Sequence, residues 1–296
     1  MDQAISLKEM MNNKIMKSEV DIHQNRVKVI SVTSGKGGVG KTNVVVNLAL
    51  SLTKLGKRVL VLDADMGLGN LDVMLGLTPV YNLHHVINGE IGISDVITKG
   101  PGGMMILPAS SGVQELSELT PTQKLNLLTE FDKIDDSIDI MLIDTAAGIS
   151  SNVMYFNTAA QDIIVVASPE PTSLTDAYAV MKVLHTQYGE AHFKLLVNMV
   201  NDSSEGKEVY RKLGTAADRF LNISIDYMGY VLKDKHVVMS VMEQRPVLDL
   251  YPWSNASKCF IELAKKISEW PVNTHLKGNI QFMWKRLMGQ TDWSKI

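Results

Sequence analysis

The chain has 296 residues, of which 45% are hydrophobic and 21% are charged, and its net charge is -3. This length accommodates one large α/β domain with appendages or two small domains, and the composition excludes a globally disordered protein. The charge balance does not suggest a surface built for nucleic acid. The one cysteine, Cys259, excludes an intramolecular disulfide and a cysteine-built metal centre within one chain, and we expect it to be a buried helical thiol.

Residues 1–25 form a polar N-terminal segment with no signal-peptide pattern. Asp2 can cap a short helix that places Leu7, Met11 and Ile15 on one stripe. Such a segment can fold on a partner or remain a frayed tail. Because no apolar run of the chain is long enough to span a bilayer, we expect a cytoplasmic protein.

Residues 26–270 alternate apolar runs with amphipathic stretches, which predicts a single domain. Continuous Val, Ile and Leu strands separated by helices are typical of a mostly parallel, doubly wound α/β sheet with helices on both faces. The ligand of such a sheet lies beyond the carboxyl ends of its strands. The predicted strands are residues 27–32, 58–62, 104–107, 138–143, 163–167, 194–197 and 225–231, and clear helical spacing marks residues 44–55, 122–134, 175–187 and 254–267.

A Gly-rich phosphate loop follows the first predicted strand and precedes an amphipathic helix. It fits the pattern G-x-x-x-x-G-K-[ST]. Its glycines let backbone N–H groups approach phosphate oxygens, and the following helix adds its positive N-terminal end. The lysine is expected to reach the β- and γ-phosphates of ATP or ADP, and the threonine hydroxyl to ligate Mg²⁺. The nucleotide-binding residues are Gly35, Lys36, Gly37, Gly38, Val39, Gly40, Lys41, Thr42 and Asn43.

Acidic residues end two further predicted strands, as a magnesium site beside a phosphate loop requires. Asp144 follows four apolar residues at a strand tip, where it could also be a plain N-cap of the next helix. Asp63 and Asp65 end another strand, and alternation along an extended chain would turn both towards the phosphates. One could support the magnesium waters while the other orients the attacking water, or both could be solvated loop carboxylates.

Residues 271–296 begin with Pro271 and become basic and aromatic. One helical face would carry Ile280, Met283, Trp284, Leu287 and Met288. A short basic helix with tryptophan on its apolar face is typical of an interfacial membrane anchor, here for an anionic membrane surface. A helix packed on its own domain is the alternative.

Lys36, directly after the first glycine of the loop, identifies the segment K-G-G-V-G-K-T as similar to the deviant Walker-A loop of the MinD/ParA family of ATPases. The resemblance covers residues 26–270. It implies an ATP-sandwiched homodimer in which Lys36 reaches the partner's nucleotide. It further implies that Lys41 and Thr42 hold phosphate and Mg²⁺, that Asp63 and Asp144 hold magnesium waters, and that Asp65 positions the hydrolytic water.

Asn198, at the end of a predicted strand, matches the asparagine that reads adenine in this family, and it could otherwise be a strand-end turn former. The resemblance therefore implies Lys36, Lys41 and Asp65 as the catalytic residues. The reaction that it implies is a slow, partner-modulated hydrolysis of ATP.

Within the family, several segments resemble the FlhG (FleN) group, the MinD-like regulators of flagellar number. They are residues 65–77, 100–103, 170–178 and 218–221. The N-terminal Asp2, Gln3, Ala4, Leu7 and Lys8 are similar to the segment through which this group stimulates the flagellar GTPase FlhF. Lys8 stands where arginine is usual, and an ammonium cannot reproduce arginine's planar fork.

That resemblance implies several partners and a location. The partners are an FlhF-like GTPase, a sigma-54-type flagellar transcription activator and a flagellar switch or C-ring protein. The location is the inner face of the cell membrane, at the pole, for a protein that cycles between cytoplasm and membrane and does not read nucleic-acid sequence directly.

Other classes of protein are built on the same loop. A ParA-type DNA- or cargo-partitioning ATPase would need a basic dimer surface, which the acidic balance does not favour. A nitrogenase-like iron protein needs several cysteines, and Cys259 is alone. A metabolic ATPase would need a second reaction centre, and His84 and His85, without further ligands, do not indicate one.

Overall fold

The structure is a computed structural model, and it describes residues 27–65, 71–108 and 120–271. The N-terminal segment, including Asp2, Gln3, Ala4, Leu7 and Lys8, lies outside these residues. So does the predicted membrane face of Ile280, Met283, Trp284, Leu287 and Met288. The expectations for both segments, and the domain boundaries at 25/26 and 270/271, therefore stay predictions.

Eight strands form one sheet in the order β3-β4-β2-β5-β1-β6-β7-β8. All neighbours are parallel except β3 and β4, which pair antiparallel at the edge. The predicted doubly wound α/β fold is confirmed. The strands are β1 (Lys28–Ser34), β2 (Val59–Ala64), β3 (Thr98–Lys99), β4 (Met105–Pro108), β5 (Ile140–Ala147), β6 (Asp162–Ala167), β7 (His192–Val200) and β8 (Ser224–Leu232).

Eleven helices within the described ranges cover the sheet, together with a 3₁₀ turn at Pro101–Gly103. They are α1 (Lys41–Lys54), α2 (Leu71–Leu75), α3 (Leu83–Ile87), α4 (Ile93–Val96), α5 (Pro121–Asp135), α6 (Ser151–Ala159), α7 (Pro171–Tyr188), α8 (Ser203–Phe220), α9 (Lys235–Met242), α10 (Val247–Leu250) and α11 (Asn255–Glu269). None of these helices is long and apolar enough to cross a membrane.

The strands are buried on both faces because successive side chains point to opposite sides of the sheet. In β1, Ile30 and Val32 pack against α1 and α11, whereas Val29 packs in the cluster formed with α5 and α6. A third cluster lies between β6, β7 and the helices α7 and α8. The two helical layers explain why the strands read as continuous apolar runs in the sequence.

Local capping sets where several helices begin. Thr120 accepts a hydrogen bond from the backbone N–H of Gln123, whose side chain bonds back in a capping box. Ser254 caps α11 in the same position, through the N–H of Ser257. Helix α7 ends at Gly189, whose φ of 74° is a left-handed conformation that glycine adopts without a Cβ penalty.

The C-terminal end of α11 is tied to the start of β1. The buried Lys28 ammonium donates hydrogen bonds to the carbonyl oxygens of Trp270 (2.6 Å) and Ile267 (3.4 Å). The Lys194 ammonium lies 4.3 Å from the centroid of the Trp270 ring and 3.6 Å from Asp162 Oδ1. Burial lowers the pKa of Lys28 and raises that of Asp162. We call Lys28, Lys194 and Trp270 the exit anchor, because their contacts hold the C-terminal end of α11 against the sheet.

Candidate nucleotide site

The phosphate loop lies at the carboxyl ends of β1 and its neighbours, where a doubly wound sheet binds its ligand. A cavity of about 500 Å³ opens there. Nine of the predicted residues line it, namely Lys36, Gly37, Gly38, Val39, Gly40, Lys41, Thr42, Asn43 and Asp65. The sequence motif therefore predicts the cavity's floor.

The conformation of the loop depends on glycine at two positions. Gly38 and Gly40 have φ angles of 81° and 82°, in the left-handed region that glycine favours. Gly40 immediately precedes the 14-residue helix α1, so the positive end of this helix points into the cavity. An anion is the ligand that this arrangement suits.

Gly35 does not line the cavity but is packed behind it. A Cβ at Gly35 would lie 2.1 Å from the backbone carbon and oxygen of Asp176 in α7. The loop thus presses directly on that helix, and no larger residue fits at this position without moving one of the two backbones.

Lys41 and Asp144 form a buried ion pair beneath the loop. The Lys41 ammonium lies 2.7 Å from Asp144 Oδ1, and both side chains are almost fully buried. Burial raises the pKa of Asp144, against the opposing effect of the Lys41 charge and a hydrogen bond with the Thr42 hydroxyl. Asp144 lies inside β5 and contacts Lys41, so it is not the N-cap of the next helix, which was the alternative.

Asp63 and Asp65 differ in environment, although we expected both to face the phosphates. Strand β2 ends at Ala64, so the alternation does not continue to Asp65, which lines the cavity. Asp63 is 5% exposed, pairs in register with Asp144, and accepts a hydrogen bond from the N–H of Asp65 (3.1 Å). Burial, with a further contribution from Asp144, raises the pKa of Asp63 to about 7.

The side chains of Thr42, Asp63 and Asp144 together offer one hydroxyl and two carboxylates. Oxygen donors of this kind are what Mg²⁺ prefers, through direct contacts and through its bound waters. The donor set and the glycine-lined floor therefore fit a magnesium–nucleotide, with Lys41 to take phosphate charge. When bound, the metal would neutralise phosphate charge.

Lys36 lies at the mouth of the cavity. Its ammonium is 2.7 Å from Glu170 Oε2 and 3.0 Å from Thr172 Oγ1, at the start of α7. The Lys36 side chain is 39% exposed and that of Glu170 is 64% exposed. The hydrogen bond from Lys36 lowers the pKa of Glu170.

Asn198 does not line the cavity. It is 6% exposed and lies behind the loop, where its side chain contacts the backbone of Val39. Its predicted role in reading adenine stays a prediction.

The sequence does not predict the far wall of the cavity. Val73 and Met74 come from α2, Val241 from α9 and Gln244 from the turn after α9. The Gln244 side chain donates a hydrogen bond to the carbonyl oxygen of Val73 (2.8 Å), which joins these two segments. No local motif marks Val241 or Gln244, since they lie some 200 residues from the loop.

Comparisons with known proteins agree with this geometry. An AAA domain family model matches residues 27–195. The antiactivator FleN of Pseudomonas aeruginosa is 46% identical over 262 residues, which cover 88% of this chain and 94% of that protein. The flagellum site-determining protein YlxH of Helicobacter pylori is 34% identical over 248 residues, with 83% of each chain covered.

Among solved structures, the septum site-determining protein MinD complexed with Mg-ADP, from Pyrococcus horikoshii, superimposes with a TM-score of 0.66. It is 26% identical, and the match covers 82% of this chain and 96% of that one. The phosphate loop, the acidic strand ends and these matches lead to one assignment. The chain belongs to the MinD/ParA family of P-loop ATPases, within the group that includes FleN.

Proposed function

We propose that this protein is a switch ATPase that dimerises on Mg-ATP and is reset by hydrolysis to ADP and phosphate. The observation that carries the proposal is the position of Lys36, a phosphate-loop lysine whose ammonium lies at the open mouth of the cavity. Its ion pair with Glu170 is exposed to solvent, which screens the attraction between the two charges. Lys36 can therefore exchange Glu170 for a phosphate of a second copy at little cost.

The buried residues supply the chemistry within each copy. A phosphate that binds the Lys41 ammonium competes with Asp144 for that positive charge. The hydrated magnesium ion would then take the place of Lys41 as the counter-charge of the Asp144 carboxylate. Asp63 and Thr42 complete the metal's surroundings, and Asp65, which lines the cavity, positions the attacking water. Lys36, Lys41 and Asp65 are the catalytic residues of the proposal.

Apolar side chains at the rim of the cavity support a face-to-face dimer. Val73 is 60% exposed, Val241 37% and Met242 79%. Val73 and Val241 line the cavity itself, so two copies joined through their nucleotides would cover this rim. Removing such side chains from water stabilises an association by about 25 cal/mol per Å².

The printed functions of the relatives indicate the process that the switch serves. FleN is described as an antiactivator and YlxH as a flagellum site-determining protein. We assign this chain to the regulation of flagellar number and placement. Its partners would be an FlhF-like GTPase contacted through residues 2–8, a sigma-54-type flagellar transcription activator, and a flagellar switch or C-ring protein.

The C-terminal residues 271–296 are the proposed membrane anchor. A single short helix with little apolar area binds lipid weakly, whereas two copies on one dimer bind much more tightly through effective concentration. The ATP-bound dimer would therefore be held at the inner face of the cell membrane, at the pole, and the monomer would return to the cytoplasm.

Sizing in solution tests the proposal. The Asp65→Ala variant should bind Mg-ATP and accumulate as a dimer, because the hydrolytic water is no longer positioned. The wild type should be dimeric only transiently with ATP and monomeric with ADP. The double variant Lys36→Ala/Asp65→Ala should stay monomeric with ATP. An Asp65→Ala variant that remains monomeric with ATP would contradict both the sandwich dimer and the role of Asp65.

A further inference from the structure

Asn198 uses both ends of its carboxamide within the chain. Nδ2 donates a hydrogen bond to the carbonyl oxygen of Val39 (2.8 Å), and Oδ1 accepts one from the N–H of Met199 (2.9 Å). These partners determine the orientation of the amide, because a flipped side chain would place its oxygen against the Val39 carbonyl. Met199 has a φ of 62°, so the backbone departs from extended geometry directly after Asn198, where the register of β7 with β8 shifts.

The phosphate loop is packed tightly on the same side chain. A Cβ at Gly40 would lie 2.5 Å from Asn198 Nδ2 and 3.2 Å from Met199 Cε. Gly40 thus lies between Asn198 on one side and the cavity on the other. The absence of a Cβ at Gly40 is what allows Asn198 to reach the loop.

The hydrogen bond to Val39 has a consequence for the next amide. In a trans peptide the C=O of one residue and the N–H of the next point in opposite directions. Asn198 draws the Val39 carbonyl away from the cavity, so the N–H of Gly40 is turned towards it. This N–H belongs to the set that a phosphate loop presents to its anion.

We propose that Asn198 is a positioning residue for phosphate: it holds the Val39 carbonyl and thereby aims the Gly40 N–H at the polyphosphate. The proposal rests on the nucleotide site of the proposed function. It replaces the reading of adenine with the positioning of the phosphate loop as the role of Asn198. An asparagine that read adenine would affect only ligands with a base, whereas this contact affects every polyphosphate, with or without a base.

Base-free tripolyphosphate therefore separates the two roles. We expect Asn198→Ala to weaken the binding of Mg-tripolyphosphate and of Mg-ATP by the same factor, because the Gly40 N–H is no longer aimed at the phosphates. The expected factor is about ten-fold, which corresponds to about 1.4 kcal/mol. Calorimetric titration of tripolyphosphate, ATP and GTP measures this. The preference for ATP over GTP should be the same in the variant as in the wild type.

Asn157→Ala is the matched control for a loss of stability. Asn157 is also buried and fully bonded, donating to the Val153 carbonyl (2.7 Å) and accepting from the Ser31 hydroxyl (2.8 Å), but it does not touch the loop. Its variant should melt at a lower temperature and bind tripolyphosphate as the wild type does. If Asn157→Ala lost as much affinity for tripolyphosphate as Asn198→Ala, the loss would follow from reduced stability of the fold, and the proposal would be overturned.

A second measurement reports on the amide itself. In ¹⁵N-glycine-labelled protein, the shift of the Gly40 amide on adding tripolyphosphate should shrink in Asn198→Ala more than that of Gly37. Unchanged tripolyphosphate affinity, with a loss of affinity for ATP or of the ATP preference, would establish base reading and overturn the proposal. A wild type that binds neither Mg-ATP nor tripolyphosphate would contradict the proposed function.

Discussion

At the scale of single residues, the phosphate loop is defined by what its glycines permit as much as by its charged groups. Gly38 and Gly40 supply left-handed turns, whereas Gly35 supplies close contact with α7. The same letter in one motif thus has two physical roles. The sequence motif cannot predict the close contact at Gly35, because that contact depends on helix α7, which begins 136 residues later in the chain.

Substitution of Gly35 tests this distinction against a neighbour in the same motif. Gly35→Ala should destabilise the nucleotide-free protein by about 1–3 kcal/mol, because the added Cβ overlaps the backbone of Asp176. Gly37→Ala is the matched control, since a Cβ there meets nothing within 4 Å. Thermal unfolding without nucleotide measures both variants. Equal melting temperatures for the two variants would show that the loop can move away from α7 freely.

At the scale of elements, the relative register of β2 and β5 decides whether Asp63 and Asp144 lie side by side, as the proposed magnesium site requires. Asp63 lies opposite Asp144 because Val59 pairs with Ile140 at the other end of the same strands. An ion pair holds that end: Arg58 Nη2 lies 2.7 Å from Asp139 Oδ1, and the Arg58 N–H donates to Asp139 Oδ2 (2.7 Å). A shift of one residue would turn one of the carboxylates to the opposite face.

This pair predicts a pH-dependent stability. The hydrogen bond from Arg58 lowers the pKa of Asp139 below its ordinary 3.8. Ionised Asp139 therefore stabilises the fold fully above that value, and the contribution disappears as the pH falls through the lowered pKa. Asp139→Asn should cost about 0.5–1 kcal/mol at pH 7, a small amount because the pair is half-exposed.

Urea denaturation of wild type and Asp139→Asn from pH 7 downwards measures the difference in the free energy of unfolding. The difference in the free energy of unfolding between the two proteins should become smaller as the pH falls through the lowered pKa of Asp139. A difference that is independent of pH would mean that the Asp139 charge does not contribute, and that the register depends on backbone hydrogen bonds alone.

Prediction from the sequence succeeded for elements with a strong period and failed where tertiary packing decides. All seven predicted strands exist, and each extends one to four residues further at one end or both, since hydrogen bonding continues beyond the apolar run. Four of them, β1, β2, β4 and β5, begin one or two residues later than predicted. The two-residue β3 has no period to detect. Helix α8 is not predicted, since it contains Gly206 and Gly214, which are poor helix formers. Glycine is required at position 206, because a Cβ there would lie 2.6 Å from Tyr227 Oη and 3.2 Å from Tyr230 Cβ.

The candidate site divides in the same way. Eight of the residues that line the cavity, 36–43, are contiguous in sequence, so a motif locates them together. Asp144 and Asp65 were found because carboxylates at strand ends converge at one edge of a parallel sheet. Val241 and Gln244 reach the cavity only through the packing of α9 and its following turn, which no pattern of nearby residues indicates.

At the scale of the whole molecule, nucleotide state and lipid binding are expected to be linked through dimerisation. The full chain should sediment with anionic vesicles at least ten-fold more tightly with Mg²⁺ and a non-hydrolysable ATP analogue than with ADP. Lys36→Ala should bind equally weakly in both states, and removal of residues 272–296 should abolish binding. Equal binding of the wild type with ADP and with the analogue would contradict this linkage.

The exit anchor lies at the opposite end of strand β1 from the nucleotide site. Strand β1 begins at Lys28, which holds the Trp270 carbonyl, and ends at the phosphate loop. Its seven residues span about 23 Å, so a nucleotide at the phosphate loop would lie about that far from the C-terminal end of α11. If residues 271–296 bind lipid as proposed, we expect the point at which they join α11 to be the same with ADP and with ATP. ATP would then act through the proposed dimerisation, which raises the number of such C-terminal segments in one particle from one to two.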